Sequence, residues 1–243
     1  MRRLLPHPAE LDDDGLVEAY LPPAGRHLRV NFVTSLDGSV TVDDRSGGLG
    51  SPGDRRIFNL LRALTDVVLV GHGTAAAEGY GPVTADSAVG RLRASLGRPA
   101  TAPIAVVSKR ASLDPASRLV TDAVSPTILV TCASSDDGRR EALAAAGVGV
   151  LVCGDDEVDL PLAVDRLAEL GHGRVLCEGG PTLFRDALAA GVVDELDLSI
   201  APAFVGSEHR LLRELPDVVR LDLQQVLEED GLLFTRYAVP GAL

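Results

Sequence analysis

Tryptophan is missing from this sequence, and all aromatic residues together make up 3% of it, so no platform for stacking nucleic-acid bases is evident. Basic residues are in deficit as well. The chain carries 23 Lys and Arg against 35 Asp and Glu, a formal net charge of −12, whereas a phosphate backbone needs a basic face. Both shortages argue against a nucleic-acid partner, although a few local donors can still hold a small anion against the global field. Cysteine is scarce too. Cys132, Cys153 and Cys177 sit at or near the ends of apolar runs with no CxxC or Cys/His spacing, which argues against a zinc or other metal site and for buried, reduced thiols. No apolar run approaches the ~18 residues of a membrane span. The opening MRRLLPHPAE places Pro6, Pro8 and acids where a secretory signal needs an apolar core, so a cytoplasmic protein is expected.

What the 243 residues do contain is an ample apolar fraction, 46%, built from Val, Leu, Ile and Ala. Short β-branched runs alternate with amphipathic, alanine-rich segments. Strands are expected at Leu28 to Thr34, Val67 to Val70, Ile104 to Ser108, Thr127 to Thr131, Val148 to Val152, Arg174 to Cys177 and Glu195 to Ile200. Helices are expected at Pro52 to Leu64, Asp136 to Ala146, Leu160 to Leu170 and Pro181 to Ala190. Strand and helix in alternation predict an α/β fold with a mainly parallel, doubly wound sheet. Near the C-terminus the rhythm changes to two strand-like runs, Arg220 to Leu227 and Leu232 to Val239, separated by EEDG, which reads as an antiparallel hairpin. Residues 1–27 are expected to form an N-terminal arm and residues 28–243 a single domain, with the stretch Ala85 to Ala102 a surface excursion.

Parallel sheets bind ligands at the carboxyl ends of their strands, and two strand-to-helix turns there look alike. VVLVGHGTAAAEGYGP runs through Gly71 and Gly73 to Thr74, and RVLCEGGPTLF runs through Gly179 and Gly180 to Pro181. Glycine lets backbone N–H groups approach a ligand, and a helix start supplies unpaired donors. A phosphate cradle fits both turns, and so does an ordinary tight turn. Ser108, Lys109 and Arg110 end the run IAVVSKR; they favour NADP over NAD if a dinucleotide binds, or they form a solvated loop. In NFVTSLDGSV, Asn31 to Ser35 enter a turn at Asp37 and Gly38. That is either a plain hairpin or a pair of polar groups, Ser35 and Asp37, at the ligand edge.

SLDG, then LLRALTDVVLVGHGT (Leu60 to Thr74), then CEGGPTL followed by VVDELDLSIAPAFVG (Val192 to Gly206) together resemble the reductase domain of bacterial riboflavin biosynthesis, in the stand-alone form without a fused zinc deaminase. The likeness covers roughly residues 28 to 239. It implies a dihydrofolate-reductase-like fold and an NADPH-dependent reduction of 5-amino-6-(5-phosphoribosylamino)uracil, whose ribose is opened to a ribityl chain. On that resemblance Gly71, Thr74, Gly179, Gly180, Pro181, Thr182 and Leu183 would bind the cofactor, and from the run IAVVSKR Ser108 and Arg110 are the candidates for its 2′-phosphate. Asn31, Ser35, Asp37 and Glu178 would face the nicotinamide and substrate. Asp37, Glu78 and Glu178 are the candidate proton donors, Glu78 standing where many relatives have Asp. Arg45, Arg55 and Arg56 are the candidates for the substrate phosphate. A dihydrofolate or pterin reductase is the competing expectation, and a non-catalytic NADP-binding module a third. The apolar run DELDLSIAPAFVG with the hairpin suggests a homodimer.

Overall fold

The computed structural model describes residues 1–42 and 46–241. The chain begins with two short strands, β1 (Arg2–Leu5) and β2 (Ala9–Glu10), and a helix, α1 (Asp13–Tyr20). It continues through β3 (His27–Ser35), α2 (Pro52–Leu64), β4 (Val67–Gly71), α3 (His72–Ala77), α4 (Ala88–Ser95), β5 (Ile104–Val107), α5 (Arg118–Thr121) and β6 (Ile128–Thr131). The remaining elements are α6 (Asp137–Ala145), β7 (Gly149–Val152), α7 (Leu160–Glu169), β8 (Arg174–Cys177), α8 (Pro181–Ala189), β9 (Glu195–Ala201), β10 (Asp222–Glu229) and β11 (Leu232–Ala238). Among the described residues the strands form one eleven-stranded sheet in the order β2-β1-β10-β11-β9-β3-β8-β4-β5-β6-β7.

From β9 to β7 the pairings are parallel, and from β9 outward through β11, β10, β1 and β2 they are antiparallel. The expected α/β class, parallel sheet and C-terminal hairpin are therefore what is observed. The period-2 alternation of a strand decides which helices each face can hold. In β4, Val67 and Leu69 pack with α7 and α8, while Val68 and Val70 pack on the opposite face with residues of α3, α5 and α6. In β8, Leu176 turns to that same opposite face and packs against α2, with Leu60, Leu61 and Leu64.

Two regions differ from expectation. Residues 1–27 are not a loose arm. β1 pairs with β10, and Leu16 and Tyr20 of α1, each 1% exposed, pack with Leu61 and Leu227. Arg29 of β3 then donates to the Tyr20 carbonyl and pairs with Glu195 and Asp197 of β9. A four-residue strand has too short an alternation to read locally, and its partner lies at the far end of the chain. The stretch Ala85 to Ala102 is likewise more than a surface excursion, because it contains α4, whose Arg93 is 2% exposed. The Arg93 guanidinium donates to the carbonyls of Arg62 (3.0 Å) and Thr65 (2.6 Å) at the end of α2 and to that of Pro99 (2.7 Å). It thereby satisfies carbonyls that a helix C-terminus leaves open. Burial, with Arg98 nearby, pushes its pKa down to about 10, so the group stays charged at neutral pH.

Arg93→Met removes those donors from buried carbonyls. We expect a stability loss on the order of 2–4 kcal/mol, measured as a shift of the urea midpoint at unchanged slope; a midpoint within error of wild type would show that α2 does not depend on this cap.

Candidate active site

At the carboxyl ends of β3, β8 and β4 a cavity of about 780 Å³ opens between the sheet, α2 and the turn after β4. β8 lies between β3 and β4 in the sheet although it follows both in sequence. The helices leaving β3 and β4 are thus held apart, which is where open α/β sheets leave room for a ligand.

Glu178 follows β8 directly, and its backbone N–H continues the ladder by donating to Leu69 O (2.9 Å). The residue is 7% exposed, and its carboxylate accepts three hydrogen bonds. Arg62 of α2 donates through Nε to Oε1 and through Nη2 to Oε2, both at 2.7 Å, and the Tyr80 hydroxyl donates to Oε2 at 2.6 Å. The guanidinium also stacks over the rings of Phe58 (4.5 Å) and Tyr80 (5.3 Å), an arrangement suited to a planar cation. Burial opposes the Arg62 charge, but the Glu178 carboxylate outweighs it and the guanidinium's pKa is raised. Burial, and after it the Glu178 charge, holds the Tyr80 hydroxyl well above its usual pKa, so it stays a donor.

α2 supplies a second carboxyl. Ser51 caps the helix by accepting from Asp54 N (3.1 Å), and Asp54, Arg55, Phe58 and Asn59 line the cavity. Asp54, Phe58 and Arg62 stand at i, i+4 and i+8, one face of the helix. Burial raises the Asp54 pKa, against the pull of the Ser199 hydroxyl that hydrogen-bonds it and of Arg55.

The two glycine turns meet. Gly71 N–H donates to Gly179 O at 2.7 Å, and the Gly179–Gly180 peptide is cis. A methyl group on Gly180 would run into the Thr74 hydroxyl, and one on Gly179, at φ +82°, would come 2.5 Å from Phe32. Gly180 starts α8 with no side-chain cap, and the first turn of that helix carries no acid. Its leading N–H groups therefore have no side-chain acceptor of their own.

Several expected residues line this cavity: Asn31, Arg55, Thr74, Glu78, Glu178, Gly180 and Pro181. Glu78 is exposed at the end of α3. Others lie outside it. Leu183 is in the core, Thr182 is exposed on α8, and Ser108 and Arg110 sit one strand further on, where the Ser108 hydroxyl accepts from Ser112 N (2.9 Å). Arg56 pairs with Asp13 of α1. Arg45 falls outside the described residues. Ser35 and Asp37 form a turn rather than part of the cavity wall. Asp37 accepts from the hydroxyls of Ser35 (2.6 Å) and Ser39 (3.2 Å) and from the N–H groups of Val205 (3.1 Å) and Gly206 (2.8 Å). Those donors hold its carboxyl far below the usual range, so it carries no proton to give. Arg62, Phe58, Tyr80 and Asp54 were not singled out from the sequence. The available signal was an arginine inside the apolar run LLRAL, four residues after a phenylalanine and eight after an acid.

Residues 26–230 match the family model described as RibD C-terminal domain. A curated relative from Methanothermobacter thermautotrophicus, named 2,5-diamino-6-ribosylamino-4(3H)-pyrimidinone 5′-phosphate reductase, is 30% identical over 88% of this chain and 99% of its own length. One of the same name from Archaeoglobus fulgidus is 28% identical over 74% of this chain and 82% of its own. Among solved structures, a pyrimidine reductase-like protein from Corynebacterium diphtheriae superposes with a TM-score of 0.77 at 31% identity, covering 88% of this chain and 92% of that one. The riboflavin biosynthesis reductase Rib7 of Saccharomyces cerevisiae shares the fold, with a TM-score of 0.66 at 17% identity over 90% and 91% of the two chains. The dihydrofolate-reductase-like α/β architecture expected from the motifs is the one these reductases have. With the motifs, the sheet order and the cavity agreeing, the chain belongs to the RibD C-terminal domain family and is an oxidoreductase of the pyrimidine reductase type.

Proposed function

We propose that this enzyme uses NADPH to reduce the ribosyl group of a 5′-phosphorylated ribosylaminopyrimidine to an open ribityl chain, a step of riboflavin synthesis. The observation that carries the reading is one cavity lined by both an anion cradle, at Thr74 and Gly180, and a carboxylate, Glu178, that Arg62 and Tyr80 clamp. The close approach at Gly180 and the uncapped start of α8 suit a cofactor pyrophosphate. Ser108 and the exposed Arg110, at the end of the neighbouring strand, suit a 2′-phosphate. When bound, the cofactor supplies hydride to the ribosyl C1′ carbon.

The chain's own residues position the substrate. An ionised carboxylate has about four acceptor sites, and Arg62 and Tyr80 fill three of those on Glu178. One site on Oε1 remains for a substrate hydroxyl or N–H group. With Arg62 and Tyr80 donating to its carboxylate, Glu178 orients the substrate through that site. Phe32, Phe58 and Tyr80 give the cavity an apolar wall for the ring, and Asn31 and Asn59 offer amides to the ring edge. Arg55, exposed at the mouth, is the cation for the 5′-phosphate. The motifs point to the uracil and the relatives' names to the 2,5-diaminopyrimidinone. The two rings differ at C2 and present the same ribosyl group.

On the same reading the enzyme is cytoplasmic and works as a homodimer. Three buried free cysteines suit a reducing compartment, and Leu221 and Leu223 stand exposed at the C-terminal hairpin, where a second copy would cover them.

Purified enzyme should oxidise NADPH with one or both pyrimidines, with NADH at least ~10-fold poorer in kcat/KM and dihydrofolate inert. Arg55→Ala should raise KM for the phosphorylated substrate ~10-fold with little change in kcat. Oxidation with neither pyrimidine would remove the proposal. Arg62→Met leaves Glu178 buried and unpaired, so we expect ~3–5 kcal/mol of lost stability and a large fall in kcat; a variant as stable and active as wild type would show that the clamp is dispensable. Sedimentation equilibrium should return a dimer mass that falls to the monomer's for Leu223→Glu. A monomeric wild-type protein would refute the dimer.

A further inference from the structure

We propose that Asp54 is the general acid of this reduction, giving its proton to the ribosyl ring oxygen as the C1′–O bond opens. The inference rests on the reductase reading above and adds the group that completes its chemistry. Opening and reducing a cyclic ribosylamine consumes one hydride and one proton. The exocyclic nitrogen's lone pair forms a C=N bond to C1′ as the C1′–O bond breaks, and the bond's electron pair goes to the ring oxygen. That oxygen takes the proton from the Asp54 carboxyl and becomes a hydroxyl. C1′ then accepts the hydride, the C=N pair returns to nitrogen, and a neutral secondary amine results. Asp54 is left as a carboxylate and regains its proton from solvent.

Among the described residues, three carboxyls line the cavity, Asp54, Glu78 and Glu178, and their surroundings differ. Glu178 is clamped by two hydrogen bonds from Arg62 and one from Tyr80, all three donated to its carboxylate. Glu78 is exposed at the rim. Asp54 is half-buried, and Ser51 rather than the Asp54 carboxyl caps the helix. That carboxyl turns instead to the cavity, with Gly50 so close that a methyl group there would sit 3.0 Å from its Oδ2.

Asp54 and Arg62 are eight residues apart on one helix face, about 12 Å along the axis. The acid and the Glu178 clamp therefore stand at opposite ends of one wall, with room for a sugar and a ring between them. The charged and titratable groups around Asp54 are consistent with a retained proton. On its own helix Arg55 draws the pKa down, and from β9 the Ser199 hydroxyl does the same, but desolvation exceeds both. Glu229 of β10 packs against Gly53, and its charge is answered by the chain's N-terminal ammonium (3.5 Å) and Arg56 (3.9 Å). The other ionisable groups that line the cavity are Glu78, Tyr80 and Glu178.

Asp54→Asn keeps the shape of the protonated carboxyl and can still donate a hydrogen bond, but has no proton to transfer. We expect kcat to fall by ~100-fold or more, while KM and the NADPH dissociation constant stay within ~3-fold. Wild-type kcat should decline as pH rises through the raised Asp54 pKa, and that limb should be missing from the Asn variant. Ser199→Ala, which removes a bond favouring the ionised form, should move the limb to higher pH. Infrared titration of the free protein should show a protonated-carboxyl band above the ordinary carboxylate range, absent in Asp54→Asn and shifted in Ser199→Ala. An Asn variant that keeps wild-type kcat, or raises KM alone, would overturn the assignment and make Asp54 a binding group. So would a band that survives the substitution. A wild-type protein with no turnover on either ring would instead remove the reductase reading itself, and the acid role with it.

Discussion

The bidentate ion pair between Glu178 and Arg62 is the constraint around which the site is arranged. Two charges taken out of water are costly, and such a pair persists only where geometry and extra hydrogen bonds repay the desolvation. Here the repayment is visible: two 2.7 Å hydrogen bonds, a third from Tyr80, and two aromatic faces on the guanidinium. The pair fixes the distance between the end of β8 and the inner face of α2, and so the width of the cavity. It also sets Tyr80, whose hydroxyl donates to Glu178, and with Tyr80 the turn that carries Thr74 and Glu78. In the other direction Glu178 is followed at once by Gly179 and Gly180, so anchoring its side chain also anchors the cradle.

That coupling gives the glycines a particular task. Taken singly, each turn is compatible with an ordinary strand-to-helix connection. In the folded chain β4 and β8 are paired neighbours, and Gly71 N–H bonds Gly179 O, so the two turns form one surface. Side chains at Gly179 or Gly180 would push Phe32 or Thr74 aside, and the surface would open at the point where α8 presents its uncapped N–H groups.

What could be read from the sequence was what local pattern encodes. The limits of α2 and β8 follow from periodicity and capping alone and agree with the structure to the residue. The alternation of strand and helix gave the parallel sheet, and three ordered motifs gave the family. Contacts made across long separations were not legible. Arg62 and Glu178 are 116 residues apart, and Tyr80 and Glu178 are 98 apart. An arginine in an apolar run has no local signature that names its partner. β1 and α4 were missed for the same reason, since their roles are to pair with β10 and to cap α2. Asp37 shows the converse: a polar residue in a family motif can earn its place through the fold, by stapling the turn after β3 to the backbone at Val205 and Gly206.

Three carboxyl groups in one small region thus do three different things, and residue type distinguishes none of them. Asp37 accepts four hydrogen bonds and is locked in the ionised form as part of the scaffold. Glu178 is clamped by a buried guanidinium and a phenol, and it keeps a single acceptor site open to the cavity. Asp54, with only a hydroxyl and a neighbouring arginine to favour its charge, is pushed by burial toward the neutral acid. On the reading proposed above, the site would bind anions, orient hydroxyls and release a proton at one pH, which calls for acids in different surroundings. Here α2 separates them along a single helix face, with the cation that pairs with Glu178 at its C-terminal end and the desolvated acid in its first turn. The length of that helix, set by Ser51 at one end and by Arg93 at the other, is therefore also the spacing between the two functions.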